Sequence, residues 1–161
     1  MTHVNPVAFR QAASRFVTGV AVLTAPDDGD RLCGMTANSF VTVSLSPPTV
    51  LVAIRPGRMH RAIGVARRYA VNVLPEDGQG LSHYFAGRPD AAGDPGFHLA
   101  GGLPRLDGCV AFFACEVTRI VDVGDHSLFI AEVSACDHRD APPLVFYSSR
   151  YHVGAGRPVE G

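Results

Sequence analysis

The stretch Cys109-Val-Ala-Phe-Phe-Ala-Cys115-Glu-Val-Thr-Arg-Ile-Val-Asp-Val123 decides how the rest of the chain is read. Cys115, Val117, Val121 and Val123 fall on one face of a two-residue repeat, and Glu116, Thr118 and Asp122 fall on the other. Arg119 and Ile120 interrupt the alternation. Such a period marks an antiparallel strand with one face buried, whereas parallel strands covered on both sides read as continuous apolar runs.

Working outward, similar β-branched and apolar runs recur at Val17–Thr24, Cys33–Ser44, Pro48–Ile54, Tyr69–Leu74, Leu128–Asp137 and Leu144–Tyr147. Most are bounded by Gly, Pro, Asp or Ser clusters, and Pro26-Asp-Asp-Gly29 reads as the turn of the first hairpin. Helical texture is confined to three places. Asn5-Pro6 reads as an N-cap followed by Pro at the first helical position, with Phe9, Ala12, Ala13 and Phe16 at helical spacing behind it. His60–Ala66 and Asp77–Phe85 are the others, too few for alternating βαβ units. Gly87–Gly108 reads as a long loop, and the tail 153–161 as frayed. The expected fold is mainly β: a closed or nearly closed antiparallel barrel with two or three short helices, since closure removes exposed sheet edges.

With 161 residues, 47% apolar and 18% charged, the chain is expected to form one globular domain with its core at about 9–151. A net charge of −1 argues against nucleic acid as a partner, and no apolar run approaches the length of a membrane span. The start Met1-Thr-His-Val-Asn-Pro lacks a signal peptide's basic and apolar regions, so the cytoplasm is the expected compartment. Cys33, Cys109, Cys115 and Cys136 form no CxxC pair and are expected to be buried and reduced. All fourteen cations are Arg, which excludes P-loop, Schiff-base and Ser-Lys chemistry. No GxGxxG after a strand, HExxH or GxSxG occurs, and no metal-ligand set is expected.

Three clusters could carry chemistry. In Gly34-Met-Thr-Ala-Asn-Ser-Phe-Val-Thr-Val-Ser44, the side chains of Thr36, Asn38, Ser39, Thr42 and Ser44 offer hydroxyls and an amide. Gly34 and Ala37 leave room for backbone N–H groups to approach a flat ligand, so the row suits a planar heterocycle or else forms a polar strand edge. Gly124-Asp-His-Ser127 puts an imidazole at a turn, as acid, base or stacking partner, or as a solvated hairpin residue. Arg55-Pro-Gly-Arg58 precedes a helix start, where guanidinium groups either bind phosphate or remain solvated. His60, like the histidines outside the GDH turn, stands isolated.

Together these clusters resemble the short-chain flavin reductases of the FMN-binding split-barrel fold, the reductase components of two-component flavin monooxygenases. The matching segments run in order from about Phe9 to Tyr151: Phe9-Arg10, Phe16-Val-Thr-Gly-Val-Ala-Val-Leu-Thr24, Gly34–Pro48, Tyr69-Ala-Val-Asn-Val-Leu74, Phe85-Ala-Gly87, Gly124-Asp-His126, Glu132-Val133 and Pro143-Leu-Val-Phe-Tyr147. The resemblance implies a Greek-key split barrel acting as a homodimer. It implies an NAD(P)H:flavin oxidoreductase that transfers hydride from NADH or NADPH to FMN or FAD and supplies reduced flavin, by diffusion, to a separate monooxygenase. Flavin contacts then fall on Thr36, Ala37, Asn38 and Ser39, with Ser44 close by and Phe85 in a matching segment. Where the family carries a Ser and a Thr as phosphate contacts, this chain reads Gly57-Arg-Met59, which puts Arg55 or Arg58 in their place. His126 matches the histidine on the nicotinamide side of the flavin. A non-catalytic flavin carrier of the same fold and an enzyme like the pyridoxamine-phosphate oxidases are the alternatives.

Overall fold

The computed structural model describes residues 3–27, 32–155 and 158–159. In chain order the elements are α1 (Pro6–Ala13), β1 (Thr18–Gly19), β2 (Ala21–Pro26), β3 (Leu32–Ala37), β4 (Val41–Leu45), β5 (Pro48–Ile54), α2 (Arg58–Ala66), β6 (Arg68–Val73) and α3 (Gln79–Phe85). A 3-10 turn (Pro89–Ala91) follows, then β7 (Phe97–Ala100), β8 (Leu103–Leu106), β9 (Ala111–Val123), β10 (His126–His138), β11 (Val145–Tyr147) and β12 (Arg150–His152).

Seven strands form one antiparallel sheet in the order β3-β2-β6-β9-β10-β5-β4. Its two edges, β3 and β4, are consecutive in the chain. Four Cα steps from Ala37 to Val41 span at most about 14 Å, whereas seven flat strands would hold their edges about 29 Å apart. The sheet must therefore curl into a barrel, and the three residues Asn38, Ser39 and Phe40 cross the remaining gap. Among the described residues no backbone ladder joins β3 to β4. Instead the Ser39 hydroxyl donates to the Ala53 carbonyl at 2.9 Å and accepts from the Ala53 N–H at 3.1 Å. The barrel is split at this seam, in keeping with the expected class.

Inside lie Leu23, Val52, Tyr69, Val71 and Phe129, all fully buried, and α2 plugs one end with Met59, Ala62 and Ile63. Each such side chain contributes roughly 1.5–3 kcal/mol relative to its exposed state. The α1 start follows the sequence reading: Asn5 Oδ1 accepts from the Val7 N–H at 2.8 Å ahead of Pro6. Yet α1 buries none of its residues.

Several expectations need correction. The run 33–44 is two strands on opposite edges, because Ser39 turns the chain across the seam. The run 17–24 likewise breaks at Val20, where β1 pairs with β11 and β2 with β3 and β6. In β9 the pairing with β10 shifts at Thr118: Val117 faces Ala131 while Arg119 faces Ile130. That bulge reverses the faces, so Ile120 and Asp122 follow Cys115 and Val117 onto the inner side, and Val121 and Val123 turn outward. The supposed loop Gly87–Gly108 holds the hairpin β7–β8, whose corner is Gly101-Gly102 at φ +58° and +72°. Leu103 and Leu106 bury that hairpin against the outside of the sheet. Asn72, itself buried, secures it: Oδ1 accepts from the Leu106 N–H at 2.8 Å, and Nδ2 donates to Val22 O and Thr24 Oγ1, each at 3.1 Å. Thr24 in turn donates to Pro104 O. Cys33, Cys109 and Cys115 are buried and free, but Cys136 is free and exposed. Burial pushes the Cys115 thiol up to about 12, far from reactivity. Part of the Pro26–Gly29 turn and of the tail 153–161 lies outside the described residues.

Candidate functional site

The crossing residues of the seam also form the wall of a groove. One lobe, of about 320 Å³, lies between residues 16–21 and the crossing, with Ala37, Asn38, Phe40, Val41 and Val73 on its walls. A smaller lobe of about 150 Å³ adjoins it, lined by Val20, Thr36, Ala37, Asn38, Phe146 and Tyr151. Val20, Ala37 and Asn38 belong to both. The size and the mixture of apolar walls with a few polar groups are those of a small-molecule site.

Neighbouring polar residues here divide their work. Ser39 spends its hydroxyl on Ala53, tying the crossing to β5. Thr36 donates to the Ser82 carbonyl at 2.6 Å, tying β3 to α3, and Ser82 Oγ lies 2.7 Å from the Tyr151 hydroxyl in the wall of the smaller lobe. Ser44 accepts from the Ser46 N–H at 3.2 Å, farther along β4. Asn38 is exposed, and its amide has no protein partner among the described residues. The Thr18 hydroxyl, occluded on the groove wall, is also unpaired among them. Buried polar groups are nearly always satisfied, so an unpaired hydroxyl beside a free amide fits a ligand with polar edges, as a flavin has. Ala37 keeps the shared wall low enough for a flat ring.

The room at Gly34 serves the fold rather than a ligand. A Cβ there would collide with the Phe85 ring, which packs over the glycine from the end of α3 and joins the cluster of Val20, Val22 and Leu74. Phe85 is thus placed behind β3 and is not among the residues lining either lobe.

Through β5 the crossing is linked to the β9–β10 hairpin. Its two-residue turn has Gly124 at φ +59° in the first corner, followed by Asp125. Ala53, which Ser39 holds, pairs with Leu128, two residues along β10 from His126. Asp125 Oδ1 lies 2.8 Å from His126 Nδ1, and its Oδ2 accepts from Arg55 Nη2 at 2.5 Å. The hydrogen bonds from His126 and then Arg55 hold the Asp125 carboxyl below its usual range. With Nδ1 committed to Asp125, Nε2 of His126 is the nitrogen left to face a second molecule.

The two arginines are not brought together. Arg58 contacts Asp27 Oδ2 through both Nε and Nη2, at 2.9 and 2.5 Å, in a separate cavity of about 510 Å³ beside Arg61, Ala62 and Val65. One contact escaped the sequence reading: His60 is not isolated, since its Nε2 lies 2.9 Å from Ser127 Oγ. Its place in a short helix gave no sign of the strand it would meet. Among the described residues no helix is long and apolar enough to cross a membrane.

Comparison with known proteins gives the family and supports the fold. The family model described as "Flavin reductase like domain" matches residues 13–155. The NADH-dependent flavin reductase StyB of Pseudomonas fluorescens is 43% identical over 97% of this chain and 92% of its own length. The styrene monooxygenase flavin reductase SMOB of Pseudomonas putida S12 superimposes with a TM-score of 0.88 at 44% identity, covering 94% of this chain and 99% of that one. The NADH:FAD oxidoreductase SgcE6 of Streptomyces globisporus C-1027, solved with NAD and FAD fragments, gives 0.86 at 32% identity, covering 96% and 98%.

Proposed function

The chain belongs to the flavin reductase like family, and from that premise we propose that it is an NADH-dependent flavin reductase supplying reduced flavin to a separate monooxygenase component. The observation that carries this reading is the groove at the barrel seam, where Asn38 and Thr18 present polar groups without protein partners among the described residues, between apolar walls. When bound together, nicotinamide and flavin supply the hydride chemistry themselves. The chain's task is to hold two flat rings in contact and to keep water out.

Within that task Asn38 and Thr18 bind the polar edge of the flavin, and Ala37 lets its ring lie close to the backbone. Phe16, Val17, Phe40 and Val41 form the apolar wall. His126 orients the dinucleotide from the hairpin rim through Nε2. Arg55, held beside it by Asp125, is the arginine assigned to a phosphate, since Arg58 sits in another cavity. Thr36, Ser39 and Phe85 support the groove through the contacts described above, whereas Ser44 caps the turn at the far end of β4.

We assign the uncovered apolar surface around this groove to a second copy of the chain. Phe9 is 66% exposed, Phe16 78% and Leu45 92%, and α1 buries nothing within its own chain. Phe16 lies on the groove wall, so a second copy would complete the site as well as cover the patch. Four free cysteines suit the cytoplasm, where thiols stay reduced.

The test is NADH and NADPH oxidation followed by absorbance, with FMN, FAD or no flavin added. Flavin-dependent loss of NADH is the expected outcome. Binding of flavin without nucleotide oxidation would replace the reductase reading with the carrier.

A further inference from the structure

Two acid-centred hydrogen-bond chains meet on the β9–β10 hairpin. The outer one joins Arg55, Asp125 and His126. The inner one runs through Ser127, which is buried: its hydroxyl donates to Asp122 Oδ1 at 2.6 Å and lies 2.9 Å from His60 Nε2. A hydroxyl has one hydrogen. With that hydrogen on Asp122, the Ser127 oxygen accepts from His60, so Nε2 of His60 carries the proton.

The order of the chain decides what it does. In nucleophilic serine chemistry the hydroxyl gives its proton to the imidazole, and here it gives it to the carboxylate. Ser127 is also buried, beyond reach of a substrate. The chain is therefore a clamp. His60 is fixed at its other side by packing edge-on against Phe129, with ring centroids 5.1 Å apart and planes at 81°. Both chains tie one segment, Arg55 at the end of β5 and His60 in the first turn of α2, to one hairpin. Successive residues of a strand point to opposite faces, so holding Ser127 inward fixes the direction in which His126 points outward.

We propose that His60 is a positioning residue for the reductase reaction: through Ser127 it locks the start of β10 so that His126 meets the dinucleotide. The proposal rests on the assignment of His126 to the nicotinamide side.

The experiment compares His60→Ala, His60→Gln, His126→Ala and the double variant His60→Ala/His126→Ala, measuring KM for NADH, kcat, flavin affinity by titration and the melting temperature. The expected result is a KM for NADH raised about three- to tenfold in His60→Ala, the equivalent of one hydrogen bond, with flavin affinity unchanged. Gln, which keeps an N–H for Ser127, restores the KM. The double variant is no worse than His126→Ala alone, because His60 acts only through His126. Should His60→Ala not fold, Asp122→Ala removes the other end of the clamp at an exposed residue and is expected to give the same NADH-specific rise. An unaltered KM in the folded variants, or effects that add in the double variant, overturns the proposal. An unaltered KM in His126→Ala overturns the assignment of His126 itself and the proposal with it.

Discussion

Asn38 and Ser39 are adjacent, both polar and both at the seam, yet the structure gives them opposite consequences on replacement. Ser39→Ala removes the hydroxyl that donates to Ala53 O and accepts from Ala53 N–H. A net hydrogen bond contributes about 0.5–1.5 kcal/mol, and Ala53 lies at a partly exposed seam where water replaces part of the loss. The expected cost is about 1–2 kcal/mol for the pair, which in a domain of this size lowers the melting temperature by about 2–8 °C. Asn38→Ala breaks no bond within the described protein, so its melting temperature stays within about 1 °C of the parent. Its effect falls on the ligand: losing one amide contact weakens flavin binding about three- to tenfold. Thermal melts followed by circular dichroism, beside fluorescence titration of FMN and FAD, read both quantities on the same samples. A stable Ser39→Ala protein, or an Asn38→Ala protein that melts early and binds flavin normally, would refute the division between seam and groove.

Gly34→Ala drives a methyl group into the Phe85 ring and should cost about 1–3 kcal/mol, read as an earlier thermal transition; an unchanged melt would mean that Phe85 does not pack there. Asn72→Leu fills the same buried space but leaves the Leu106 N–H unpaired and removes the side-chain donor to Val22 O and Thr24 Oγ1, for a loss of about 1–3 kcal/mol by chemical denaturation, and a neutral result would detach the β7–β8 hairpin from the fold's stability. The pH dependence of NADH binding follows from Asp125. Its carboxyl titrates below the usual value because His126 and Arg55 bond to the charged form, so the link is complete above about pH 4 and is lost only as pH falls through the depressed value. From neutrality down to about pH 5 this carboxylate should therefore add no step to the KM for NADH. A transition in that interval that persists in His126→Ala and disappears in Asp125→Asn would contradict the hydrogen bonding described.

Local pattern in the sequence marked the runs that hold the strands of the main sheet, although it joined β3 and β4 into one, because β-branched runs bounded by turn residues are set by near neighbours. What it could not supply was phase and partner. The bulge at Thr118 reverses the faces of β9 through pairing with β10, so Asp122 reads as outward in sequence and meets Ser127 in space. The β7–β8 hairpin was hidden by Gly, Pro and Asp on all sides, although Leu99-Ala-Gly-Gly-Leu103 is a two-glycine corner between apolar flanks, the one local signal available. His60 offered no signal at all, since its hydrogen-bond partner Ser127 lies sixty-seven residues away on β10. Of the proposed site, Asn38, Ala37 and His126 were legible by type and by resemblance, whereas Thr18 and the structural employment of Ser39 depended on the fold.

The reading that failed most instructively was the single strand 33–44, and its failure explains why the groove lies where it does. A seven-stranded sheet that curls to bring its edges together has one place where backbone cannot pair with backbone. In this chain the same short segment must leave one edge, cross and begin the other, so its residues cannot all be strand-like. Small and polar side chains suit the crossing: Ser39 replaces a missing ladder bond, and Ala37 and Asn38 remain on the open side. Continuous pairing would have joined the backbone of the crossing to a neighbouring strand and filled the space that the groove occupies. The interruption that defeats a strand prediction is thus the condition for a binding groove, and the polar middle of Gly34–Ser44 encodes both.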